Sequence, residues 1–63
     1  MINIEEKELE NLVTVNDGEY RDRYPFSYAI TISENLRYYG IAETKEKAVE
    51  CLKEIIEKEN KNG

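Results

Sequence analysis

The clearest pattern in the chain is a helical stripe of apolar residues near its C-terminus. The stripe recurs at spacings of three and four residues and consists of Ala48, Val49, Leu52, Ile55 and Ile56. Such spacing places side chains on one face of an α-helix, so residues 44–60 are predicted to be helical. Thr44 is the predicted N-cap, because its hydroxyl can accept a hydrogen bond from an unpaired N–H of the first turn.

Residues 26–33 alternate between large apolar and small or polar side chains, a pattern typical of a strand with one buried face. Residues 36–42 are the predicted partner strand, joined by a short turn at Glu34 and Asn35. A turn of this length places Ser33 opposite Leu36. The register then predicts two pairs on the core face, Ile30 with Tyr39 and Tyr28 with Ile41, and two pairs on the open face, Thr31 with Tyr38 and Ala29 with Gly40.

The first 25 residues carry weaker patterns. Residues 12–15 are rich in β-formers and predict a third strand, followed by a turn at residues 16–18. Asn3 and Glu6 resemble a capping pair, so a short helix over residues 4–10 is predicted, with an extended or frayed lead-in as the alternative.

These elements predict a single small domain over residues 1–63 of the α+β class. Its parts are an acidic N-terminal segment (1–10), a three-stranded antiparallel sheet (11–42) and a C-terminal helix (44–60) packed on one face of the sheet.

Charge is spread unevenly along the chain. The net charge is −5, and the first 19 residues hold six carboxylates against Lys7 alone. An acidic chain is suited to a basic protein surface rather than to a phosphate backbone, although solubility is the ordinary alternative.

Composition argues against several classes of function. The chain has no histidine, which is the commonest general base and metal ligand, so no enzyme activity, no metal and no cofactor are expected. Its one cysteine, Cys51, cannot form an internal disulfide and is expected to act as a small flanking hydrophobe. Without an apolar run of membrane-spanning length, a cytoplasmic protein with no membrane contact is predicted.

The most informative local feature is the aromatic and basic segment 20–24. Tyrosine and arginine are enriched at interface hot spots, so Tyr20, Arg21, Arg23 and Tyr24 are candidate partner-binding residues on a protruding loop. The alternative is that the tyrosines cover the edge of the core while the arginines pair with the acidic N-terminus.

Four glutamates form the second candidate binding group: Glu5, Glu6, Glu8 and Glu10. Adjacent carboxylates on a short helix are ordinarily a solvated face, and the turn at residues 16–18 is only a fragment of a calcium loop. The open-face patch of Thr31 and Tyr38, or an edge strand, could also support a homodimer, with cover by the N-terminal segment as the alternative.

Residues 26–32, leading to the run from Gly40 to Ala48, resemble the double-stranded-RNA-binding domain. The resemblance covers residues 12–56 and implies an αβββα fold, in which a glycine, a Ser or Thr and a lysine cluster lead into the last helix. It also implies nucleic-acid contacts from Lys45, Lys47, Arg21 and Arg23.

The lysine cluster of that family is largely lost here. Lys45 is present, but Glu46 falls where a second lysine is expected, Val49 stands near the third, and Lys47 is out of register. The first helix would also be acidic. Integrase arm-binding domains and small antitoxins share the same pattern of a three-stranded sheet and a helix.

The sequence therefore predicts a small, acidic, non-enzymatic protein-binding module. Its expected partner is a protein with a basic, nucleic-acid-binding surface, and its expected role is that of an inhibitor or regulator of the antitoxin or phage anti-defence type. The alternatives are a domain that binds double-stranded RNA or DNA and a purely structural homodimer subunit.

Overall fold

The structure is a computed structural model that describes residues 3–62. Its elements follow the order α1, β1, β2, β3 and α2, which confirms the predicted α+β class and the αβββα layout. Their bounds are Glu6–Glu10 for α1, Val13–Val15 for β1, Phe26–Ser33 for β2, Leu36–Ala42 for β3 and Lys45–Asn62 for α2.

Helix α2 begins where its predicted cap requires. The Thr44 Oγ1 atom accepts a hydrogen bond from the Lys47 N–H at 3.1 Å, which confirms Thr44 as the N-cap. The helix continues two residues beyond the predicted end at residue 60. An ion pair between Lys61 and Glu57, one turn apart, supports this last turn.

The three strands form one antiparallel sheet in the order β1–β2–β3, and the helices lie on one face of it. Strands β2 and β3 have the predicted bounds, whereas β1 is one residue shorter than predicted. The buried core joins four residues from α1, β2 and α2: Leu9, Ile30, Val49 and Leu52.

The predicted register between β2 and β3 is wrong beyond the turn. Ser33 does lie opposite Leu36, but the ladder shifts between Thr31 and Ser33, so that Thr31 lies opposite Arg37. The bulge adds one residue to β2, so the pairing beyond it is shifted by one residue. Each side chain of β3 beyond the bulge therefore lies on the face opposite to the one predicted. The observed pairs are Ile30 with Tyr38, Ala29 with Tyr39, Tyr28 with Gly40 and Ser27 with Ile41.

In the observed register, the two neighbouring tyrosines of β3 lie on the faces opposite to those predicted. Tyr38 lies on the helix side, where its hydroxyl donates a hydrogen bond to Glu59 Oε1 at 2.6 Å, and this bond raises the pKa of Tyr38. Tyr39 lies on the open face and is 79% exposed. The predicted open-face patch of Thr31 and Tyr38 is therefore not formed.

Helix α1 is shorter than predicted and is capped differently. It begins after Glu5, which is its N-cap residue and makes no side-chain capping bond, so the predicted cap by Asn3 is wrong. The burial of Leu9 fixes the helix against α2 and the sheet, and tertiary packing rather than local capping therefore holds it.

Candidate functional site

The fold brings three separate segments of the chain to one side of the molecule. Val15 lies opposite Phe26, and Phe26 lies opposite Ala42. The β1–β2 loop and the start of α2 therefore lie at the same end of the sheet. The C-terminal end of α1 lies beside this part of α2, where Glu10 and Lys45 line the same shallow groove.

We call these segments, residues 5–10, 17–23 and 43–50, the acidic region. They hold ten carboxylates and five cationic side chains and so account for the whole net charge of −5. The remaining acidic and basic side chains balance one another. Lys53 lies outside these segments in sequence, but its ammonium bonds to Glu6, so the local net charge is −4 and most of the excess of negative charge is concentrated on this part of the surface.

The carboxylates of α1 point to solvent. Glu5, Glu6, Glu8 and Glu10 are all exposed. Glu6 accepts a hydrogen bond from the Lys53 ammonium at 2.8 Å, and this bond and the nearby positive charge lower the pKa of Glu6. Among residues 3–62 the other three side chains have no hydrogen-bond or ion-pair partner, so they remain available to a cationic ligand.

The β1–β2 loop is organised by Asn16. Its side-chain amide donates to the Tyr24 carbonyl at 2.8 Å, and its side-chain oxygen accepts from the Gly18 N–H at 3.0 Å. Its backbone N–H donates to the Pro25 carbonyl at 2.9 Å. These bonds join the two ends of the loop, which is an Asx-type arrangement. Sequence reasoning identified a turn at Asn16 but missed that this residue closes the whole loop.

The loop presents its predicted binding residues unequally. Tyr20 is 64% exposed, and Arg21 and Arg23 are exposed, whereas Tyr24 is half-buried. The Arg23 guanidinium lies 5.5 Å from the centre of the Tyr24 ring, within range of a cation–π contact. Neither arginine forms an ion pair with any residue in the range 3–62, so the alternative in which they pair with the acidic N-terminus is wrong.

Substitution of Asn16 tests this loop architecture. We expect Asn16→Ala to lower the free energy of unfolding by about 1–2 kcal/mol, because it removes two hydrogen bonds and leaves a partly buried carbonyl without its donor. Trypsin should then cut faster after Arg21 or Arg23, as measured by mass spectrometry of timed digests. Asn35→Ala, in the exposed β2–β3 turn, is the control, and equal cleavage rates in the two variants would contradict the assignment.

The basic residues of the nucleic-acid alternative also meet at this end of the sheet, but they are interleaved with carboxylates. Lys47 pairs with Glu43 at 3.6 Å, with both side chains largely exposed. Lys45 is followed by Glu46 at the start of α2. The local field is therefore mixed within a surface that is negative as a whole.

Three further observations concern membrane-spanning helices, metal ligands and similarity to known proteins. Neither described helix is long and apolar enough to cross a membrane. Residues 3–62 hold no group of three or more His, Cys, Asp or Glu side chains placed to bind a metal ion. No family model, curated protein or solved structure matches the chain.

Proposed function

We propose that the chain is a non-enzymatic binding module that docks through its acidic region on a basic, nucleic-acid-binding surface of a partner protein. The observation that carries this proposal is the concentration of most of the net negative charge on three segments that strand pairing and the packing of α1 on α2 bring together. Electrostatic complementarity of this kind accelerates encounter with cationic surfaces and selects among partners.

The acidic region would use two kinds of contact. Glu5, Glu8 and Glu10 supply charge from a helix whose position is fixed by the buried Leu9. Tyr20 and Arg21, on the loop closed by Asn16, supply area and directional hydrogen bonds at little cost in ordering. The charges would orient the encounter and the loop would anchor it.

The resemblance to the double-stranded-RNA-binding domain indicates which segments of this chain would form the contact surface. In that family the first helix, the β1–β2 loop and the start of the last helix contact RNA, and here the corresponding segments are the acidic region. Because these segments are negative here, their charge suits a basic cleft that ordinarily accepts phosphates. Occupying such a cleft would inhibit the partner, as an antitoxin or a phage-encoded inhibitor of host defence does.

Binding of duplex RNA is the second candidate, because Arg21, Arg23, Lys45 and Lys47 lie at one end of the sheet. Affinity for a duplex depends mainly on cations that neutralise phosphates. Ten carboxylates on the same three segments oppose that contact. We therefore favour a protein partner.

Two matched variants test the proposal. Glu5→Gln, Glu8→Gln and Glu10→Gln together remove three negative charges from the acidic region, whereas Glu34→Gln, Glu54→Gln and Glu57→Gln remove three from elsewhere. Both sets leave the Glu6–Lys53 pair intact, and the second set also removes the exposed Glu57–Lys61 pair, which contributes little to stability. Each variant and the wild type would serve as bait in extracts of the native cell, with binding to a recovered partner measured by titration.

We expect the first variant to lose affinity for the partner by about tenfold or more, and the second variant to bind nearly as the wild type does. Nucleic acid should displace the wild-type chain from the partner. Equal losses in the two variants, or a partner that binds nucleic acid and this chain together, would refute the proposal.

A direct titration separates the two candidate functions. We expect no tight complex with a duplex RNA of about 16 base pairs, the length that one double-stranded-RNA-binding domain spans. A complex that forms at about 50 mM salt and weakens steeply by about 200 mM would instead support nucleic-acid binding.

A further inference from the structure

The outer edge of β3 is the longest unpaired backbone edge in the sheet. Strand β3 spans Leu36–Ala42 and lies at the end of the strand order, so within residues 3–62 only one side of it is hydrogen-bonded to another strand. The opposite edge of the sheet is formed by β1, which has three residues. An unpaired edge of seven residues is a template for pairing with another strand.

Strand β3 also has few of the features that ordinarily prevent such pairing. It contains no proline, lysine or carboxylate, and Arg37 is its one charged residue. Three of its apolar side chains are exposed: Leu36 at 36%, Tyr39 at 79% and Ile41 at 39%. Exposed apolar side chains on an edge with a single charge indicate an interface.

The charge distribution favours a second copy of this chain as the partner that pairs with the edge of β3. The acidic region lies on α1, the β1–β2 loop and the start of α2, so the edge of β3 carries none of the net negative charge. Antiparallel pairing about Tyr39 would place Arg37 opposite Ile41 of the second copy and diagonal to its Tyr39. No like charges would then face each other, and each Arg37 could contact a tyrosine ring.

We propose that two copies of the chain associate through antiparallel pairing of their β3 strands, with Tyr39 at the two-fold axis. The product is a continuous six-stranded sheet, with the four helices on one face and both Tyr39 rings on the other. The interface is isologous, because each copy contributes the same strand. It does not depend on the proposed function, since it uses none of the charges of the acidic region.

Sedimentation equilibrium tests the association. We expect the apparent mass to rise from 7.4 kDa toward twice that value as the concentration increases from about 1 μM to about 1 mM. Added salt should strengthen the dimer, because it screens the repulsion between two acidic chains. A mass of one chain throughout this range would overturn the proposal.

Two tyrosine variants locate the interface. Tyr39→Lys should hold the chain in the monomeric state, whereas Tyr20→Lys, which adds the same charge at a similarly exposed site, should dimerise as the wild type does. Circular dichroism would show whether both variants are folded. If Tyr39→Lys does not fold, Ile41→Lys on the same face of β3 would be tested in its place. Dimerisation of the folded Tyr39→Lys and Ile41→Lys variants would refute this interface.

Hydrogen exchange provides a readout that requires no substitution. The outward amides of β3 should exchange more slowly in concentrated than in dilute samples, and the amides of β1 should not change. Slowing confined to other elements would place the dimer interface elsewhere and overturn the proposal.

Discussion

Replacing Leu52 with alanine is expected to remove a large part of the stability of the fold. Leu52 is fully buried and lies in the cluster that joins α1, the sheet and α2. Truncation of a buried leucine costs about 2–5 kcal/mol, because the cavity is filled only partly by relaxation. A domain of this size has a total stability of about 3–9 kcal/mol, so the loss consumes much of it.

A melting curve followed by circular dichroism measures this effect. The midpoint should fall by about 10–30 °C, since each kcal/mol shifts the midpoint of a small domain by several degrees. Lys53→Ala, at the next position on the same helix, removes an exposed side chain and its bond to Glu6 and should shift the midpoint little. Similar shifts in the two variants would contradict the assignment of Leu52 to the core.

The parts of the fold that could be predicted are those with a long, consistent period. Helix α2 has an apolar stripe over several turns, and β2 alternates along its full length, so each pattern points to one structure. Helix α1 has one turn and a half, and its existence depends on the contact of Leu9 with residues distant in sequence. Capping rules therefore could not predict the residue at which α1 begins.

The register of β3 could not be predicted, because alternation alone does not reveal a bulge. Both tyrosines are large and amphipathic, so Tyr38 and Tyr39 are equally acceptable on the core face by composition. The contacts that decide between them are tertiary: Tyr38 bonds to Glu59, and Gly40 leaves room for Tyr28.

The sequence predicted which residues belong to the candidate site but not how they are arranged in space. The exposure of Glu5, Glu8 and Glu10 and of the loop arginines agrees with their polarity. The placement of the loop and the start of α2 at one end of the sheet follows only from the strand pairing, and the placement of α1 beside them follows from its packing on α2.

Gly40→Ala is expected to destabilise the chain, although alanine is ordinarily preferred to glycine within a strand. A glycine in a strand costs entropy, so alanine would by itself add about 0.5–1 kcal/mol of stability. Gly40, however, lies opposite Tyr28, whose ring covers it, and a Cβ atom there would stand 2.6 Å from Cζ of that ring. Overpacking of this kind costs about 1–3 kcal/mol, so the net effect is a loss.

A double-mutant cycle in urea isolates the contact. In the Tyr28→Leu background the colliding ring atoms are absent, so Gly40→Ala should cost little or should stabilise the chain, with a coupling free energy of about 1–3 kcal/mol. The cycle also tests the bulge. If the ladder ran without the shift between Thr31 and Ser33, Gly40 would lie opposite Ala29 on the open face, away from Tyr28. Gly40→Ala would then be neutral or stabilising in both backgrounds, and such a result would reject the register on which the exposure of Tyr39 depends.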